Sequence, residues 1–440
     1  MASRNPPFRA EHLGSLLRPA ELLKTRGAFE AGKASAADLK AEEDKAVREI
    51  VNTQVELGYR AVSDGEYRRG VFWGTFFQTL EGMTEVQNPP LDIFRKYVPD
   101  VAGFLEKGGP GQSCLCTGKI RHTGKSSLVD EWLYTNSLLP ADRRGEAKLT
   151  MISPVWYHLR YSEGKAYPPD VYGSEEEYFA DIAKAYSTEL GILYDAGVRN
   201  VQIDDPLFAC HVLEFVIVVI GHGGCFRRRP RRQPRTMTAC NRPVAPADSA
   251  DFCSEKMIEG WDQDPTNSRT LDELLDLYIK CYNDSIAAHK DKMHFGLHIC
   301  RGNFRGSRHF SEGGYDRIAI KLFQQLHVST YYLEYDTPRA GGFAPLQHVP
   351  KDKNVILGVI TSKFPNMEDK EEMRKRVYEA AEVMAKGTGQ SREQALERIG
   401  VSPQCGFASH EEGNAIKYPD MINKLKLVRE IADEIWPGQP

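Results

Sequence analysis

The sequence predicts a parallel α/β fold closed as a (β/α)8 TIM barrel, with an N-terminal extension and one atypical insertion. Three observations point to it. Eight short apolar runs of strand character alternate with stretches of helical periodicity. Serine and threonine capping boxes mark where several helices begin. Polar or metal-binding side chains fall at nearly every predicted strand end, the place where such barrels carry their chemistry.

In chain order, the strand candidates are 9–14, 61–65, 148–153 and 199–204, then 294–300, 330–335, 355–360 and 401–405. Between them, helices are expected at 36–57, 315–326, 368–386 and 412–435. Ser174 with Glu177 opens a helix running to Ala196, and Thr270 with Glu273 opens one running to His289. Ser391 with Gln394 starts another, expected to close at Gly400.

Composition narrows the class of protein. The chain has 440 residues, 41% hydrophobic and 27% charged, which excludes global disorder and suits one large domain spanning 1–440. A net charge of -4 gives no electrostatic case for a nucleic-acid or membrane partner. The longest apolar run, Phe215 to Ile220, falls far short of the roughly 18 residues that a membrane span needs. Met1 to Arg9 lacks the apolar core of a secretory signal, and nine scattered cysteines read as reduced thiols. The expectation is a cytoplasmic enzyme.

Residues 210–250 break the pattern as an atypical, Arg-rich insertion in a barrel loop. Seven arginines lie between Arg227 and Arg242 with no lysine or acid among them, after the apolar run FVIVVI. A basic run of this kind is also what a nucleic-acid or targeting patch looks like. Arginine without lysine, beside a β-prone run, fits better with an insertion that carries no function. Cys210, Cys225 and Cys240 lack the close pairing of a zinc module.

The strand ends offer Ser15, Asp64 and Glu66, Asp204 and Asp205, His298 and Cys300, Glu334 and Cys405. His298 and Cys300 are two apart on a strand, so both point to one face, roughly 6–7 Å apart at the backbone. On its own a His-x-Cys pair is better explained by a core histidine beside a buried thiol. Together with Cys405 and Glu334 it makes a tetrahedral set suited to zinc. Two thiolates and an imidazole leave zinc weakly Lewis acidic, and a displaceable carboxylate leaves room for an incoming ligand. Such a set suits thiol alkylation better than water activation. Glu66 and the Asp204–Asp205 pair either cap helices and pair with Arg68 and Arg69, or grip the ammonium group of a substrate.

The motifs Glu11-His12-Leu13-Gly14-Ser15, Asp64-Gly65-Glu66, Gln202-Ile203-Asp204-Asp205-Pro206, Leu297-His298-Ile299-Cys300, Leu333-Glu334 and Ser402-Pro403-Gln404-Cys405-Gly406 run in a characteristic order. In this the chain resembles the C-terminal catalytic barrel of cobalamin-independent methionine synthase, in its single-barrel branch. The resemblance implies zinc on His298, Cys300, Glu334 and Cys405, and homocysteine held by Ser15, Glu66 and Asp204. It implies methyl transfer from a folate donor, 5-methyltetrahydrofolate, to the homocysteine thiol, giving methionine. Asp205 and His410 are the candidate acids for the leaving amine.

The chain departs from the family in two places. Its length leaves no room for the duplicated N-terminal barrel of the full-length synthase. Where the family has an Asn-Trp pair near the pterin, this chain has Leu159 and Arg160, with Trp156 close by. Two other readings stay open: alkyl transfer to a small thiol from another electrophile such as an epoxide, and a barrel that has lost catalysis. The expected partners are a small thiol and a methyl donor.

Overall fold

The computed structural model describes residues 8–99, 101, 111–211, 220–221, 224–225 and 254–440. After the first segment come α1 (Ala20–Glu30) and α2 (Ala36–Glu56). The Ser35 side chain and that of Asp38 cap the start of α2 reciprocally. An antiparallel hairpin follows, β1 (Leu80–Gln87) with β2 (Gln112–His122), and then α3 (Leu128–Leu138).

The rest of the chain alternates strand and helix. It contains β3 (Lys148–Ile152), α4 (Glu175–Ala196), β4 (Asn200–Asp204), α5 (Ser254–Gln263), α6 (Leu271–Ile286) and β5 (His294–Ile299). Then come α7 (Asp316–Gln325), β6 (Thr330–Glu334), β7 (Asn354–Ile360), α8 (Lys370–Thr388), α9 (Arg392–Leu396), β8 (Ile399–Pro403) and α10 (Tyr418–Ile435). Strands β3 to β8 form one parallel sheet in the order β8-β7-β6-β5-β4-β3. Helices lie between parallel neighbours because a parallel connection needs a crossover.

Two further segments carry the ring from one sheet edge to the other. Ala10 bridges Val401 of β8 in parallel, and Glu11 N–H donates to Val401 O at 2.9 Å. Ser63 Oγ donates to Gly14 O at 2.9 Å, Leu16 N–H to Gly65 O at 3.1 Å, and Lys148 N–H of β3 to Val62 O at 2.9 Å. Eight positions thus follow one another around the barrel. The expected strands at 9–14 and 61–65 are corrected here: both hold ring positions without forming strands. At 61–65 the cause is local, since Gly65 and Glu66 have φ of 70° and 60°, in the left-handed region that ends a ladder.

Other boundaries shift for physical reasons. Gly400 does not close a helix but lies inside β8, where an added Cβ would sit 2.7 Å from Phe8 O. Close approach of the N-terminal segment therefore requires glycine there. Pro403 brings no N–H to the ladder and ends β8 two residues before Cys405. Helix α10 starts at Tyr418, with Pro419 in its first turn, later than the expected 412. The hairpin, α1, α3 and α5 are additions that the periodicity did not signal. Of the 210–250 insertion, only Cys210 and His211 in a short turn and the pair Ile220–Gly221 with Gly224–Cys225 fall among the described residues; the rest lies outside them.

Candidate functional site: a His/Cys/Cys cluster beside two carboxylates

The strand ends on the C-terminal side of the ring meet in one cleft enclosing about 800 Å³, its mouth included. Its polar floor consists of Ser15, Glu66, Asp204, His298, Cys300 and Cys405; its upper wall is aromatic, with Phe72, Trp73, Trp156, Phe304, Phe310 and His410. Seven of the nine site residues expected from sequence therefore share one cleft; Asp205 and Glu334 do not line it.

The ligand atoms of His298, Cys300 and Cys405 all lie within 4.8 Å of one another, and all three residues are buried. Alternation along β5 turns His298 and Cys300 to the same side, and the turn after β8 brings in Cys405. His298 Nδ1 lies 3.2 Å from Tyr332 O, a contact that places the ring proton on Nδ1. Nε2 is buried and makes no hydrogen bond, so its lone pair faces the two sulfurs. An orphaned imidazole nitrogen beside two thiols is a donor set that fits zinc.

The electrostatics agree with that geometry. A hydrogen bond with Cys405, opposed by burial and aided by His298, pulls the Cys300 thiol well below its ordinary value. Cys405 is pushed up correspondingly, since Cys300 takes the charge first. Burial opposes charge on His298, yet the Cys300 contact and Asp204 raise its pKa.

Glu334 is near these donors but does not join them. Its carboxylate accepts from Arg301 N–H at 2.8 Å and pairs with the Arg339 guanidinium. Burial works against its charge, but Arg339, Arg301 and Lys363 hold its pKa at about 2.

The two floor carboxylates are held differently. Glu66 Oε1 accepts from Thr150 Oγ1 at 2.9 Å, while Oε2 is buried without a hydrogen bond. Burial pushes its pKa up to about 7, with Arg69 opposing and Asp204 adding to the rise. Asp204 Oδ1 accepts from Gln202 Nε2 at 2.7 Å. Burial pushes Asp204 up to about 6 against the pull of His298. Two buried acids with spare acceptor capacity could accept a cationic group between them. Ser15 lies against the Gly406 backbone, where an added Cβ would sit 1.8 Å from Ser15 Oγ.

Asp205 is a correction. Its Oδ2 accepts from Ser153 Oγ at 2.7 Å and Tyr282 OH at 2.6 Å, and its Oδ1 from the N–H groups of Leu207 and Phe208 at 2.8 and 3.3 Å. With four donors satisfied and no place in the cleft, it caps the turn 206–211 and braces α6. His410, the other acid candidate, stands edge-on to Trp73 and Phe304, with ring centroids 5.3 and 4.8 Å away.

Thr150, Arg339 and the aromatic wall were not singled out from sequence as site residues, although Trp156 was noted as close to the expected donor position. Trp73 and Trp156 lie 5.5 Å apart, Phe72 packs against both, and the Arg160 guanidinium covers Trp156 at 3.6 Å. Leu159 is fully buried in the core.

A parallel eight-position barrel with a buried His/Cys/Cys cluster at its strand ends defines a class of α/β barrels whose donor set could hold a metal ion. Residues 287–434 match the family described as cobalamin-independent synthase, catalytic domain. Two uncharacterised Bacillus subtilis proteins, YxjH and YxjG, are 31% and 32% identical to this chain over 98% of its length and 96% of their own. A methionine synthase of Sulfurisphaera tokodaii is 27% identical over 45% of this chain and 52% of its own. The solved structure of a putative vitamin-B12-independent methionine synthase from Listeria monocytogenes superposes with a TM-score of 0.64 at 22% identity, covering 99% of both chains. One from Shewanella sp. W3-18-1, in complex with selenomethionine, gives 0.60 at 17%, covering 98% of both. The chain belongs to the cobalamin-independent methionine synthase catalytic-domain family.

Proposed function

We propose that this chain, as a single barrel, is a zinc-dependent methyltransferase that moves a methyl group from 5-methyltetrahydrofolate to the thiol of homocysteine, giving methionine. The observation that carries this reading is the unpartnered His298 Nε2 converging with the Cys300 and Cys405 thiols, directly beside Glu66 and Asp204. The names of the methionine synthases it resembles support the reaction class.

Zinc held by His298, Cys300 and Cys405 would supply the Lewis acidity that keeps an incoming thiol ionised near neutral pH. The chain's own residues do the rest. Glu66 Oε2 and Asp204 receive the substrate ammonium group, and Ser15 donates to its carboxylate. The apolar rings of Trp73, Trp156 and Phe72 exclude water and offer faces to a planar donor. The sulfur lone pair forms the new S–C bond as the C–N bond to the folate breaks. The leaving nitrogen takes a proton, for which His410 at the cleft wall is the donor. Leu159 and Arg160, standing where the family has Asn-Trp, favour a second reading of the donor alone, as another alkyl electrophile such as an epoxide.

The working site is cytoplasmic in this reading, and among the described residues no helix is long and apolar enough to cross a membrane. The test is X-ray absorption at the zinc edge with and without homocysteine. A rise from two sulfur ligands to three is expected, with proton release below the free-thiol pKa of about 8.5. An unchanged sulfur count at saturating thiol would refute the reading. Turnover against a panel of methyl and alkyl donors then identifies the donor.

A further inference from the structure

Glu334 ends β6 beside Cys300, since Leu333 and Ile299 are register partners and Glu334 and Cys300 are the residues that directly follow them. From there its carboxylate accepts from Arg301 N–H at 2.8 Å through Oε2 and has two further sets of neighbours. On one side are the donors of His298, Cys300 and Cys405. On the other is Arg339, which pairs with Glu334 and also lies 3.4 Å from Asp336. Glu334 and Asp336 are almost completely buried, with side-chain exposures of 0% and 1%, and that of Arg339 is 12%. Asp336 Oδ2 and Arg339 Nη1 make no hydrogen bond, so each has capacity for another arrangement.

The loop carrying Arg339 is fixed independently of this pairing. Arg339 O accepts from Gly313 N–H at 2.8 Å, and an added Cβ on Gly341 would lie 2.5 Å from Gly314 Cα. The backbone that carries the guanidinium is therefore fixed, and the carboxylate follows Leu333 on the strand that neighbours Ile299 and Cys300.

We propose that Arg339 is a latch for Glu334: it draws the carboxylate away from the His298/Cys300/Cys405 donors and leaves a ligand position for the substrate thiol. Asp336 makes the exchange reversible, because it neutralises Arg339 whenever Glu334 turns back. Without Asp336, releasing Glu334 would leave a buried guanidinium unpaired, at a cost that would lock the latch. This rests on the zinc reading above, and it makes Arg339 and Asp336 positioning residues.

The test is zinc affinity of the full-length chain, measured by competition with a chromophoric chelator. Zinc-edge X-ray absorption on the same samples reads the light-atom ligands. Arg339→Gln should bind zinc about 10-fold tighter or more and gain an oxygen ligand, because Glu334 loses its competing partner. Adding Glu334→Gln to that variant should cancel both gains, whereas simple removal of a positive charge would leave the affinity gain in place. Asp336→Asn should shift affinity the opposite way, and Arg339→Lys should restore nearly wild-type behaviour. A merely structural role for this cluster would move Arg339→Gln and Asp336→Asn in the same direction. Unchanged or weaker zinc binding in Arg339→Gln overturns the latch, as does a gain that survives Glu334→Gln. If Arg339→Gln does not fold, the Asp336→Asn shift alone decides. Wild-type chain that binds no zinc would overturn the zinc reading and the latch together, whereas normal wild-type zinc with unresponsive variants overturns the latch alone.

Discussion

Thr150 and Gln202 are register partners on β3 and β4, and each donates a hydrogen bond to a different floor carboxylate: Thr150 to Glu66 at 2.9 Å, Gln202 to Asp204 at 2.7 Å. Arg69 holds Thr150 in turn, through its hydroxyl at 3.2 Å and its carbonyl at 3.0 Å. The barrel wall thus aims two acids at one point without using up their outer oxygens. Thr150→Val and Gln202→Met should each weaken homocysteine binding about tenfold, because a bond to an ionised acceptor is lost and the carboxylate is freed to rotate. Zinc content should not change. Calorimetric titration with homocysteine, alongside metal analysis, checks both statements.

Glu66 links the receptor to pH. Burial raises its pKa from 4.5 to about 7, so the folded state holds this proton more tightly than the unfolded chain does. The stability that this proton contributes is fully present below pH 4.5 and is lost as pH rises through about 7. Glu66→Gln, which imitates the protonated acid, should match wild type in stability near pH 4 and exceed it above pH 7, by on the order of 2–3 kcal/mol. It should also bind homocysteine poorly. Urea unfolding at pH 4, 6 and 8 measures the difference, and a constant offset across that range would disprove the burial argument.

Much of the site could be read from residue order, and the rest depended on direction. His298 and Cys300 share a face because strand alternation is rigid, and Cys405 meets them at the same end of the ring. The same alternation separates Asp204 from Asp205. Asp204 is the register partner of His298, so its neighbour turns outward to Ser153 and Tyr282. That signal was in the sequence once β4 and β5 were aligned. The Glu334–Arg339 pairing carried no such signal, since a carboxylate at a strand end looks the same whether it faces a metal or a guanidinium. Helix α1 was missed because it buries only Leu22 and Arg26, too few to set a helical period. The segments 9–14 and 61–65 were right in position and wrong in conformation, for φ at Glu66 is a backbone property that residue type does not announce.

The His298, Cys300 and Cys405 side chains can be tested one by one as zinc donors. Cys405→Ser and His298→Ala should each lose most of the roughly one zinc per chain expected of a three-donor site with one open position. Glu334→Gln should keep it, because its carboxylate pairs with Arg339 and Arg301 rather than joining the donors. Metal analysis after dialysis against a weak chelator distinguishes the three. Full zinc in both ligand variants would dismiss the site.

Residues 210–250 begin inside the turn at 206–211 and precede α5, whose Met257 and Trp261 are buried. Both flanks are thus anchored by their own packing. Deleting 210–250 should leave the fold intact and raise soluble yield, since it removes seven arginines and the aggregation-prone run FVIVVI. Loop closure changes slowly with length, so thermal stability should change little. A deletion variant recovered only as unfolded protein would make the segment part of the core.

The last prediction separates the two acids once treated alike. Asp205 is buried, accepts four hydrogen bonds and stays outside the cleft, so Asp205→Ala leaves four donors unsatisfied. It should cost on the order of 3 kcal/mol of stability, with what folds retaining its affinity for homocysteine. His410 lines the cleft between Trp73 and Phe304. His410→Gln preserves its size and polarity but cannot deliver a proton at neutral pH. It should therefore keep stability, zinc and homocysteine affinity while lowering kcat about 100-fold, within the usual worth of general acid catalysis. The loss should shrink with a donor whose leaving group needs no proton. An equal loss with both kinds of donor would mean that His410 shapes the cleft wall and protonates nothing.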